Sequence, residues 1–193
     1  MLFTTLFAYL PYAAVTAFTP GPNNILALYS VSRDGWKKGK NTILGMSAGF
    51  LCVMLICALF CYELAKYVPS LSYYLKYVGA IYIIWLAIHV ARSGPDESEA
   101  ETVSFGKGFF LQFANVKIIM YAITVYMGYV LPAGGGAADL VFHAVSLTLI
   151  GAAGFITWAA AGGVLQKFLA KHYRPFNYLM ALILVFCALK LLK

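Results

Sequence analysis

Apolar runs the length of a membrane span alternate along this chain with short clusters of lysine and arginine. No charged side chain occurs before Arg33, none from Asn41 to Tyr62 and none from Leu140 to Gln166. A helix needs about 20 apolar residues, at about 1.5 Å each, to cross the hydrocarbon core of a bilayer. The pattern predicts six spans at approximately 4–31, 41–62, 70–91, 108–131, 140–163 and 174–191, the first interrupted at 20–22. The long polar stretch from Arg92 to Lys107, with Asp96, Glu97, Glu99 and Glu101, reads as a solvated surface connector.

Composition fixes the class. Of 193 residues, 62% are hydrophobic and only 11% charged, more apolar surface than a soluble core of this size could hide. The expectation is an all-α integral membrane protein with one transporter domain over 1–193. A first repeat would cover about 1–91, the acidic connector 92–107, and a second repeat about 108–193. Met1 to Ala17 lacks a basic n-region and its apolar stretch runs on, so it reads as the first span rather than a cleaved signal. A net charge of +7 would suggest nucleic acid for a soluble protein; here it reflects loops that set orientation, and no nucleic-acid partner is expected. The loops after spans one, three and five carry nine Lys and Arg (Arg33, Lys37, Lys38, Lys40, Arg92, Lys107, Lys167, Lys171, Arg174), whereas the opposite side carries four (Lys66, Lys76, Lys190, Lys193). The positive-inside rule then places both termini outside the cytoplasm.

Six spans divide into three plus three, and an odd number per half forces the halves into opposite orientations, the inverted-repeat plan of many secondary transporters. A shift of 92 residues lays Phe18 on Phe110, Asn23 on Asn115 and Tyr29 on Tyr121. Irregular segments at matching places in two halves point to a site at the midplane of the membrane.

Two such segments stand out. Pro20-Gly21-Pro22 interrupts the first span, because each proline lacks an N–H and clashes one turn back. The plain reading is a kink. The functional reading is a restarted helix whose free N–H groups and positive dipole end attract a carboxylate, with Asn23 and Asn24 adding donors and acceptors. In the fourth span, Lys117 is the only charge from Gly108 to Ala138. A cation at bilayer depth costs roughly 3 kcal/mol, so the residue points to a cavity. Snorkelling to a membrane surface is the alternative, weakened by the charge-free flanks. Lys117 could bind a substrate carboxylate or give up and regain a proton, with Gln112 and Asn115 nearby on the same helix. Asp139 and His143, one turn apart, suggest a proton relay or, more plainly, an acid at a helix start.

Other features carry less. Gly45-Met46-Ser47-Ala48-Gly49 is a close-packing signal, within the protomer or in a homodimer. Cys52, Cys57, Cys61 and Cys187 form no Cys-x-x-Cys pair and read as small buried hydrophobes, Trp158 as a packing residue, and Tyr73, Tyr74 and Tyr77 as a belt at the lipid surface. With no phosphate loop, zinc motif or acid–base cluster, neither an enzyme nor a cofactor or resident metal is expected, and energy must come from an ion gradient or from the substrate's own. A thiol redox enzyme in the membrane is the alternative from another class, and a passive channel a third.

These residues resemble the LysE/RhtB family of bacterial amino-acid exporters over essentially the whole chain. The signatures are Thr19-Pro20-Gly21-Pro22-Asn23 and Asn115-Val116-Lys117. Most of the family has proline where Val116 stands, a departure that removes the expected kink and argues against a broken fourth helix. Runs such as Gly45-Met46-Ser47-Ala48-Gly49-Phe50, Leu111-Gln112-Phe113 and Val185-Phe186-Cys187-Ala188 are similar to the subgroup that exports cysteine and O-acetylserine, which also has Asn-Val-Lys. The resemblance implies export of these amino acids from the cytoplasm through the inner membrane to the periplasm; of the ion gradients that could drive it, the proton gradient is the expectation. Homoserine, threonine or a basic amino acid is the alternative cargo.

Overall fold

A computed structural model describes residues 2–67, 69–92 and 104–192, and among these every regular element is helical. The acidic connector over 93–103 lies outside the described residues, as do the side chains of Arg33, Tyr73, Lys76, Lys167 and Lys171. In chain order the elements are α1 (Leu2–Phe18), α2 (Pro22–Tyr67), α3 (Pro69–Arg92), α4 (Phe105–Leu111), α5 (Val116–Val125), a π-helical turn (Tyr126–Val130) and α6 (Ala137–Leu192).

The two longest helices are each divided by glycine. Gly35 sits at φ 71° within α2 and Gly162 at φ 46° within α6, backbone conformations a side chain would strain. Arg33 to Lys40, read from sequence as a loop, is therefore helical apart from this one residue. Three helices are long and apolar enough to cross a membrane unaided: Gly35–Tyr67, Ala137–Gly162 and Arg174–Leu192. Two bent pairs raise the number to as many as five: Leu2–Phe18 with Pro22–Ser32, at 50°, and Phe105–Leu111 with Val116–Val130, at 56°.

The first break falls at Thr19 to Gly21, and Pro22 opens the next helix. A proline fits there because the first helical N–H has no acceptor in any case. The second break corrects the sequence reading. The fourth span is broken even though Val116 replaces proline, because Asn115 adopts an extended backbone and its side chain accepts from Lys117 N at 3.1 Å. An asparagine cap of this kind starts a helix without help from proline.

Of the broken helices, α1 packs mainly on α6 and α4 on α2. Where α4 crosses α2 the backbones nearly touch: a Cβ on Gly108 would fall 2.9 Å from Thr42 O, and Gly45 and Gly49 face the backbones of Phe105 and Phe109. The Gly-x-x-x-Gly stretch thus serves a contact within the chain. Cys57, Cys61 and Cys187 are buried among apolar residues, and Tyr74 and Tyr77 are exposed.

Candidate functional site

The site begins with the end of α1. A helix leaves its last four carbonyls without partners, and these gather at its negative pole. Asn24, reaching back from the next helix, donates to Ala17 O at 2.7 Å and Thr19 O at 2.8 Å. Trp158 donates its indole N–H to Phe18 O at 3.2 Å from α6. The Lys117 ammonium supplies the third cover, 3.4 Å from Thr16 O and 3.5 Å from Thr19 Oγ1. A cation at a helix C-terminus gains from the dipole, which offsets part of the cost of holding the charge away from water.

Three polar residues of the two breaks, Asn23, Gln112 and Asn115, bond to one another. Asn23 donates to Gln112 Oε1 at 2.6 Å, Gln112 donates to Gly108 O at 2.9 Å, and Asn115 donates to Asn23 Oδ1 at 3.4 Å. Asn23 and Asn115 are the asparagines that the 92-residue shift superimposes. Gln112 does for α4 what Asn24 does for α1, occupying a carbonyl near the helix end. The Asn23 and Gln112 side chains are buried, so each hydrogen bond forms without competing water.

A cavity of about 470 Å³, its open mouth included, lies between the breaks. Gly21, Pro22, Asn23, Asn24, Asn115 and Lys117 form its polar wall, and Phe50, Ile118, Tyr121 and Phe155 its apolar one, with Gly151 between. Gly21 leaves room for the lysine, since a Cβ there would stand 3.2 Å from Nζ. Asn24 Oδ1 and Thr16 Oγ1 are buried and have no hydrogen-bond partner among the described residues. A cation, a helix start and two unused acceptors thus face one cavity, and among the described residues no acidic side chain lines it. That arrangement suits a small zwitterion: the carboxylate against Lys117 and the start of α2, the ammonium against neutral oxygens.

Of the residues singled out from sequence, Gly21, Pro22, Asn23, Asn24, Asn115 and Lys117 line this cavity, and Gln112 supports it through Asn23. Pro20 shapes the turn without lining the cavity. Asp139 and His143 lie elsewhere. Asp139 accepts from Gly136 N at 2.8 Å at the start of α6, and His143 is bonded to Tyr9 at 2.8 Å. Thr16, Phe50, Tyr121, Gly151 and Phe155 were not singled out. Their residue types abound throughout the spans; Tyr121 was matched with Tyr29 by the 92-residue shift, and Phe50 closes the run that begins at Gly45.

The family described as LysE type translocator matches residues 14–193. The chain is 42% identical over 190 residues to the cysteine/O-acetylserine efflux protein of Escherichia coli strain K12, covering 97% of both chains. The proteins of the same name from Shigella sonnei strain Ss046 and Escherichia coli O139:H28 are 42% and 41% identical over the same coverage. No solved structure matches the chain.

Proposed function

The chain belongs to the LysE type translocator family, and from that premise we propose that it exports cysteine, O-acetylserine and similar small neutral amino acids from the cytoplasm. It is a transporter of the membrane, not an enzyme. The observation that carries the choice of cargo is the Lys117 cavity. A basic amino acid would bring a second cation beside Lys117 with no carboxylate in the cavity wall to receive it, so a neutral cargo fits better. The wall opposite the lysine is aromatic and aliphatic, which suits a short thiol or ester side chain.

In this reading the six predicted spans form two inverted repeats, with both termini in the periplasm. The Asn115–Asn23 hydrogen bond joins equivalent positions of the two halves and supports that plan. The substrate carboxylate replaces the α1 carbonyls as partner of the Lys117 ammonium, and the ammonium of the substrate takes Asn24 Oδ1. Export is driven by protons. One elementary charge moving through about 100 mV yields roughly 2.3 kcal/mol, enough for nearly fifty-fold accumulation.

The purified protein in proteoliposomes, preloaded with unlabelled amino acid and offered a labelled panel, tests the reading. Counterflow should appear with cysteine and O-acetylserine and be absent with lysine and arginine. Preferred uptake of a basic amino acid would overturn the choice of cargo.

A further inference from the structure

The buried face of α1 is lined with hydroxyls. Thr5, Tyr9, Tyr12 and Thr16 recur every three or four residues, which stacks them on one side of the helix, Thr19 follows in the break, and all five are buried. Packing alone would be met by leucine or alanine. Facing them are Tyr121 and Thr124 of α5, Tyr129 of the π turn and His143 of α6. The Tyr12 and Tyr121 rings stand 5.4 Å apart, the Tyr9 and Tyr129 rings 6.2 Å, and Tyr9 OH lies 2.8 Å from His143 Nδ1. One end of this column is Thr19, whose Oγ1 lies 3.5 Å from Lys117 Nζ, with Thr16 beside it. The other end is His143.

Four hydroxyls in or beside the column, those of Tyr12, Thr16, Thr124 and Tyr126, are buried and make no hydrogen bond of good geometry among the described residues, although those of Tyr12 and Thr124 stand beside each other. Leaving one such group unsatisfied costs about 1–3 kcal/mol. Thr16 lines the Lys117 cavity, so water can enter the column at that end. The π turn that carries Tyr126 and Tyr129 is a rare element, frequent at functional sites.

We propose that this column carries protons between His143 and Lys117, with the Tyr9–His143 pair as its outer gate. The proposal rests on the export reading and names the route that couples it. His143 takes a proton at Nε2 and passes the one on Nδ1 to the Tyr9 oxygen, whose own proton moves inward. Successive O–H groups and bridging waters hand on one proton each, and the last arrives at the Lys117 amine. One proton enters and one is delivered, and only O–H and N–H bonds form or break. Reorientation of the hydroxyls and return of the imidazole to its Nδ1–H tautomer reset the chain. The titratable groups around the route are Asp139, one turn before His143 and held by Gly136 N, Tyr126 and Tyr129 behind Tyr9, and Tyr82 of α3 beside Tyr12. The thiols of Cys57, Cys61 and Cys187 lie near Tyr126 and Tyr129.

The test uses proteoliposomes of the full chain and two readouts: counterflow of labelled O-acetylserine without a pH gradient, and movement of protons with the substrate, followed by a trapped dye. Tyr9→Phe removes one hydroxyl and keeps the ring, and His143→Gln keeps a polar side chain but cannot relay. Each should cut substrate-linked proton movement at least about ten-fold while counterflow changes less than about three-fold. Should His143→Gln fail to insert, Tyr9→Phe and Thr124→Val carry the test. Unaltered proton movement in Tyr9→Phe would overturn the route, and so would equal loss of both readouts. Wild-type counterflow with no proton movement would overturn the route and leave export standing. Wild type without counterflow of any amino acid would instead overturn the export reading.

Discussion

The two broken helices of this bundle reach nearly the same bend, 50° and 56°, by different chemistry. In the first, two prolines flank a glycine, and each removes a helical N–H and crowds the preceding turn. In the second no proline is present, and the break depends on Asn115, which caps the new helix, and on Gln112, which occupies a carbonyl of the old one. The first is enforced by covalent structure, the second by hydrogen bonds that each contribute about 1 kcal/mol. One half of the site is rigid, then, and the other adjustable. In a carrier that must expose one site to two sides in turn, the adjustable break is the natural place for motion.

Substitutions in the rigid break should have the largest effect. Gly21→Leu brings a branched side chain into the space of Lys117 Nζ, so export should fall by at least about 100-fold while membrane insertion persists. Normal transport by this variant would reduce the first break to a kink. Next comes Gln112→Leu, which strands the buried Asn23 amide and should lower export about ten-fold. Asn115→Ala removes a cap worth about 1 kcal/mol, and roughly five-fold slower counterflow is expected. If it is as severe as Gly21→Leu, the two breaks do not differ in rigidity. Val116→Pro should do least. Asn115 already has the extended backbone that a following proline requires, Val116 opens the helix, and its side chain is 68% exposed. Transport within about two-fold of wild type is the expected outcome, and a collapse of activity would show that proline and asparagine breaks are not interchangeable.

The same contrast explains what could be read in advance. The apolar runs announced membrane helices because hydrocarbon tolerates little else. Pro20-Gly21-Pro22 announced its break because proline acts locally. The second break was illegible: an asparagine before an apolar run is a cap in one context and a core amide in another, and Val116 argued against any interruption. Lys117 was visible as a lone cation, but its partners, the carbonyls ending α1, are backbone atoms supplied by the fold. Phe50 and Phe155 close the cavity from helices distant in sequence. The helical path through Arg33 to Lys40 was hidden because charge clusters suggest loops, although lysine and arginine are good helix formers.

The central claim is that Lys117 holds the substrate's carboxylate, and counterflow competition in wild type and Lys117→Met tests it most directly. Against labelled cysteine, unlabelled cysteine should compete in wild type about 100-fold better than cysteamine, which lacks only the carboxylate. Lys117→Met should insert normally and lose export, with any remaining binding no longer separating the two compounds, and Lys117→Arg should be intermediate because guanidinium keeps the charge and changes the shape. A Lys117→Met variant that transports at the wild-type rate, or a wild type that accepts cysteamine as readily as cysteine, would contradict the account.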